Sequence, residues 1–94
     1  MTPQQASVAA EKICLLAPVV PVLVIDDAST AALLAEALIA GGLPALEVTL
    51  RTPAALDAIR EMAAVPGGVV GAGTLLTPKD VENAKAAGAT FGVS

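Results

Sequence analysis

Apolar residues in this 94-residue chain fall into short, nearly unbroken runs at 19–25, 45–50, 69–73 and 90–93. Runs of this length predict β-strands. Their continuous apolarity predicts parallel strands covered by helices, because a strand with one wet face would alternate. The segments between them are longer, spaced by charges, and punctuated as helices. Thr2-Pro3, Thr52-Pro53 and Thr77-Pro78 each place a capping hydroxyl before a proline that loses no hydrogen bond at the first helical position. Asp80 stands three residues after Thr77, the capping-box spacing. A fourth helix is predicted to begin near Asp26-Asp27-Ala28-Ser29 and to run to Ile39. Gly41-Gly42, Gly67-Gly68 and Gly88 follow successive helices as C-terminal caps or turns.

The predicted order is a leading helix and then β-α-β-α-β-α-β, a series of βαβ units. Leu50-Arg51-Thr52-Pro53 and Leu75-Leu76-Thr77-Pro78 read as one strand-to-helix junction written twice. The fold class expected is therefore α/β. A complete (β/α)8 barrel needs roughly 200–250 residues. The expectation for residues 1–94 is the leading helix and first four strands of such a barrel, a single half-barrel unit ending after its fourth strand.

One run breaks the apolar pattern. In Leu46-Glu47-Val48-Thr49-Leu50-Arg51, side chains alternate across the strand, so Glu47, Thr49 and Arg51 are expected on one face. A carboxylate and a guanidinium there are costly unless they pair or do chemistry. In a parallel barrel the chemistry sits at the C-terminal ends of the strands, where Arg51 and Thr74 are expected to join Glu47. A carboxyl group among Val and Leu side chains is suited to proton transfer. The alternative is a buried Glu47–Arg51 ion pair that only fixes register. Glu36, Asp57, Arg60, Glu61, Glu82 and Lys85 fit solvated helix faces.

Composition narrows the function. A net charge of −4 without a basic cluster, and Phe91 as the single aromatic, argue against nucleic acid. With no histidine and one cysteine, neither an intrachain disulfide nor a cysteine–histidine metal site is expected, and Cys14 is expected in the core. No signal-peptide pattern opens the chain, and no apolar run reaches the roughly 18–20 residues of a membrane span. A soluble, cytoplasmic protein is the expectation. The 55% hydrophobic composition suggests a chain that packs against more protein.

Val69-Val70-Gly71-Ala72-Gly73-Thr74 lacks the lysine of a P-loop and the third glycine of a dinucleotide site. Its glycines are expected to admit another strand or a ligand close to the backbone. Together with Pro18-Val19-Val20-Pro21-Val22, Ala40-Gly41-Gly42, Leu46-Glu47-Val48-Thr49-Leu50-Arg51-Thr52 and Phe91-Gly92-Val93-Ser94, it resembles the N-terminal half of the bacterial 2-keto-3-deoxy-6-phosphogluconate (KDPG) aldolases, which also act as 4-hydroxy-2-oxoglutarate (KHG) aldolases. The resemblance runs through nearly the whole chain.

That resemblance implies a class I aldolase of the TIM-barrel family, working through a lysine Schiff base without a cofactor and forming homotrimers. Its substrates would be a phosphorylated keto acid, cleaved to pyruvate and glyceraldehyde 3-phosphate, or 4-hydroxy-2-oxoglutarate. The related galactonate aldolases are an alternative. By motif, Glu47 would be the general acid/base, Arg51 would hold the pyruvate carboxylate, and Thr74 would help bind the same end of the substrate. The Schiff-base lysine of the family has no counterpart among Lys12, Lys79 and Lys85, all in predicted helices. The chain by itself is therefore expected to be inactive, and a non-catalytic half-barrel scaffold is the alternative reading.

Overall fold

The computed structural model describes residues 2–16 and 19–94. Helix α1 spans Pro3–Cys14 and strand β1 Val22–Leu23; a 3-10 turn at Ala28–Thr30 leads into α2, Ala31–Ala40. Then come β2 at Ala45–Thr49, α3 at Ala55–Ala63, β3 at Val69–Gly73, α4 at Pro78–Ala87 and β4 at Phe91–Gly92. The strands form one sheet in the order β1-β2-β3-β4, with every pair parallel. Each new strand joins beside its predecessor. Helix α2 packs on α3 and α3 on α4, so these helices cover a single face. A doubly wound sheet would reverse its strand order and place helices on both faces. This is the winding of part of an α/β barrel, as expected.

The hydrophobic core lies between the sheet and those helices. Leu46 and Val48 of β2, and Val70 and Ala72 of β3, point outward into it. Helix α3 meets them with Ala55, Ala58, Ile59 and Met62, an i, i+3, i+4, i+7 stripe, while Asp57, Arg60 and Glu61 stay in solvent. The small residues Ala31, Ala35, Ala84 and Ala87 let α2 and α4 approach closely. Arg60 Nη1 and Asp57 Oδ1 pair at 2.7 Å on the exposed face, a contact worth little. The helix charges named above, Glu36, Glu82 and Lys85 included, are exposed as expected.

Helix boundaries follow the punctuation where it acts locally. Thr2 caps α1 in a capping box with Gln5. Thr77 caps α4: its hydroxyl accepts from the Asp80 amide at 3.1 Å, and Asp80 Oδ2 accepts from the amides of Thr77 at 3.1 Å and Leu76 at 3.0 Å. Gly88 ends α4 at φ 114°, a left-handed cap that disfavours a side chain. Asp27, rather than a residue within the helix, begins the 3-10 turn. It accepts from the Ser29 amide at 2.9 Å. The hydroxyl and then the amide of Ser29 hold its carboxyl below the ordinary value.

Four expectations are corrected. Strand β1 is two residues long rather than 19–25; Pro18, which opens the motif ahead of it, lies outside the described residues. Pro21 has no amide to give, and its carbonyl instead accepts from the Glu47 amide at 3.0 Å. Strands β2 and β4 are likewise trimmed at their ends. Helix α3 starts at Ala55, not at Thr52-Pro53, and its cap residue Ala54 offers no side-chain bond. The Thr52 hydroxyl is used across the sheet, donating to the Ile25 carbonyl. Cys14 is exposed, not core: α1 buries no residue among those described, so the apolar habit of cysteine finds nothing to pack against.

Candidate active site

The sheet face opposite the helices carries the charged exception. Register aligns Val22, Glu47, Gly71 and Phe91 in one row across β1 to β4, and Thr49 with Gly73 in the next. Partners in a parallel sheet share a face, so these residues line the inner side. Glu47 is 9% exposed and Thr49 3%. Neighbours on the same face are open: Val22 is 60% exposed and Val24 55%.

Glu47 accepts no hydrogen bond among the described residues, yet its carboxylate is not sealed away from solvent. A buried stem with a reachable, uncommitted carboxylate is a group available to a ligand. Its position is fixed by a glycine. A β-carbon built on Gly73 would lie 2.3 Å from Glu47 Oε2 and 2.9 Å from its Cδ. The carboxylate therefore rests over Gly73, at the C-terminal end of β3. Thr49 turns the other way, its hydroxyl donating to the Leu23 carbonyl at 3.3 Å.

Thr74 follows immediately. It is half-buried with φ 60°, the one non-glycine residue with positive φ among those described. For a β-branched residue this backbone costs on the order of 1–3 kcal/mol, and such strain gathers at functional sites. The sequence carried no sign of it. Thr74 thus stands directly after Gly73, at the strand end over which the Glu47 carboxylate rests.

Arg51 departs from its expected place. Strand β2 ends at Thr49, so Arg51 sits in the following turn and is exposed, not on the strand face with Glu47 and Thr49. The turn frees it from alternation, which holds only while the backbone stays extended. The Glu47–Arg51 ion pair considered as an alternative is absent among the described residues. The Leu50 amide donates to the Gly73 carbonyl at 2.9 Å, tying together the two strand exits that carry Arg51 and Thr74. Glu47, Arg51 and Thr74 thus share one end of the sheet, with Arg51 at its rim.

The glycines of β3 admit side chains, not the backbone of another strand. Glu47 takes the space over Gly73 and the Phe91 ring the space over Gly71. Only knowledge of register could have paired Phe91 with Gly71. The three lysines, Lys12 on α1 and Lys79 and Lys85 on α4, are all exposed. A Schiff-base lysine needs desolvation or a neighbouring cation to lose its proton. Among the described residues, no helix is long and apolar enough to cross a membrane.

Residues 10–94 match the family model for KDPG and KHG aldolase. A 2-dehydro-3-deoxy-phosphogluconate aldolase of Zymomonas mobilis is 62% identical over 79 residues, which is 84% of this chain and 38% of that protein. A KHG/KDPG aldolase of Escherichia coli is 50% identical over 86 residues, 90% of this chain and 40% of that protein. The chain spans about two fifths of the length of these curated relatives. Among solved structures, a 2-keto-3-deoxy-6-phospho-gluconate aldolase from Zymomonas mobilis ATCC 29191 superposes with a TM-score of 0.87 at 58% identity, covering 89% of this chain and 41% of that one. The KDPG aldolase of Legionella pneumophila, with pyruvate captured as a covalent carbinolamine intermediate, gives 0.82 at 46% identity, covering 87% and 40%.

Proposed function

The chain belongs to the KDPG and KHG aldolase family, and on that premise we propose that it supplies the proton-moving and carboxylate-holding part of a class I aldolase site. The observation that carries this reading is the Glu47 carboxylate, buried by its stem, uncommitted, and held at a strand end beside the strained Thr74. The reaction is cleavage of 2-keto-3-deoxy-6-phosphogluconate to pyruvate and glyceraldehyde 3-phosphate, and of 4-hydroxy-2-oxoglutarate to pyruvate and glyoxylate. A lysine amine adds to the substrate ketone and water leaves, giving an iminium. The hydroxyl next to the breaking bond loses its proton, the carbon–carbon bond opens, and its electron pair is taken up by the iminium, leaving an enamine that takes up a proton and, with water, releases pyruvate and the free amine. Glu47 moves the protons. Arg51, at the rim, meets the pyruvate carboxylate with its planar fork of donors. The Thr74 hydroxyl binds the same end.

The amine must come from a lysine outside these 94 residues, since Lys12, Lys79 and Lys85 all sit in solvent on helices. The parent enzyme is cytoplasmic and trimeric in this reading. The test is trapping with pyruvate and borohydride, read by intact mass. The 94-residue chain is expected to gain no adduct, and the longer protein that carries it to gain one. An adduct on the 94-residue chain would sink the assignment of the nucleophile. A scaffold role for the half-barrel is the second reading, favoured by Val22 and Val24 left open on the inner face. It is supported if the longer protein also gains no adduct.

A further inference from the structure

Glycine is an unfavourable choice inside a strand, because it adds backbone entropy to the unfolded chain and packs nothing. Strand β3 nonetheless has glycine at two of its three inner-facing positions, Gly71 and Gly73 but not Val69, and neither glycine has positive φ. Backbone conformation therefore does not account for them. The space above them does. A β-carbon on Gly71 would lie 2.3–2.4 Å from three Phe91 ring atoms, and one on Gly73 would lie 2.3 Å from Glu47 Oε2.

The register shows what this does. Glu47 is the partner of Gly71, and Gly73 is the partner of Thr49. The Glu47 side chain has thus leaned toward the C-terminal end, so that its carboxylate lies over the residue two beyond its own partner. Its nearer place, over its own partner, is filled by the Phe91 ring arriving from β4. The place over Gly73 stays free of its own partner, because Thr49 turns toward the Leu23 carbonyl on β1. One seat is blocked and the next is left vacant by a missing methyl group.

We propose that Gly73 and Phe91 are positioning residues for Glu47: Gly73 is the seat of the carboxylate and Phe91 closes the alternative. The catalytic use of that carboxylate rests on the function proposed above, whereas the seat itself does not. Its test reads no aldolase chemistry, so failure of the aldolase reading leaves the measurement unchanged.

The test is a thermodynamic cycle on the full chain with Gly73→Ala, Glu47→Ala and the double variant, followed by urea unfolding. With Glu47 present, Gly73→Ala is expected to lower the folding equilibrium constant about tenfold or more, the usual penalty for overpacking. With alanine at position 47 the same change is expected to reverse sign and raise it, since the atoms nearest that methyl group all belong to the Glu47 side chain and the added methyl stiffens the unfolded chain. If Gly73→Ala alone does not fold, folding of the double variant supports the seat and its failure to fold overturns it. A second readout is spectroscopic. Nuclear Overhauser contacts from the Glu47 γ-methylene to the Gly73 α-protons are expected in the wild type. In Phe91→Ala they are expected to move toward Gly71. Equal cost of Gly73→Ala in both backgrounds, or Glu47 contacts that ignore the loss of the ring, would overturn the proposal.

Discussion

Replacing Asp80 by alanine removes two contacts at once, and their size can be worked from the capping box. Oδ2 accepts from the Leu76 amide at 3.0 Å and the Thr77 amide at 3.1 Å, both ordinary lengths. The carboxylate also lies in the first turn of α4, where negative charge opposes the helix dipole. A lost cap costs about 0.5–2 kcal/mol and the charge about 0.3–1 kcal/mol. The site is half-exposed, so water replaces part of both. The expected loss for Asp80→Ala is therefore about 1.5 kcal/mol, and for Asp80→Asn, which keeps an acceptor, about 0.5 kcal/mol. With a urea slope of about 1–1.5 kcal/mol per molar for a chain of this size, the alanine variant should unfold roughly 1 M earlier with an unchanged slope. Residues 74–77 link β3 to α4, so the same cap anchors the segment carrying strained Thr74. Backbone amide exchange at Leu76 and Thr77 should accelerate in the alanine variant and much less in the asparagine one. Equal midpoints for wild type and Asp80→Ala would refute the bookkeeping. Asparagine as damaging as alanine would show that charge, not hydrogen bonding, does the capping.

Other substitutions test separate parts of the fold. Thr52→Val removes the donor to the Ile25 carbonyl and should cost about 1 kcal/mol by urea denaturation; a neutral result would mean water replaces it. Gly88→Ala meets both φ 114° and Ala63 Cβ at 2.9 Å, and should cost about 1–2 kcal/mol by the same assay. The exposed thiol of Cys14 should react with a disulfide reagent in the native chain as fast as in urea, and protection would contradict its placement on an open helix. Asp27 has a depressed folded value, so its contribution is present above the ordinary 3.8 and is lost as pH falls through that lower value. The stability gap between wild type and Asp27→Asn should stay constant from pH 7 to about pH 5 and close below it. A gap that widens in acid would reverse the sign.

How much of this was legible in the sequence depended on whether the determining contacts were local. Strand β3 matches its predicted run residue for residue, and the Thr77–Asp80 box needs only a spacing of three. The identical Thr-Pro punctuation at Thr52 misled, because its hydroxyl is spent on Ile25 across the sheet, a partner no window contains. Cys14 misled for a related reason: burial belongs to what surrounds a helix, not to the residue. Glu47 stood out as a charge in an apolar run and does lie on the inner face. Arg51 was carried on by alternation past the point where the strand stops. The seat over Gly73, the ring over Gly71 and the φ of Thr74 were invisible because each arises from strand register or loop closure.

The two faces of the sheet answer to different kinds of selection. Leu46 and Val48 are wholly buried against helices that also bury Ile59 and Met62, and any change there is paid in stability. Glu47 and Thr49, on alternate residues of the same strand, lie outside that core. Exchanging the inner residues can therefore alter chemistry while the outer residues keep the chain folded. At Glu47 chemistry can be rewritten without touching the side chains that hold the helices to the sheet.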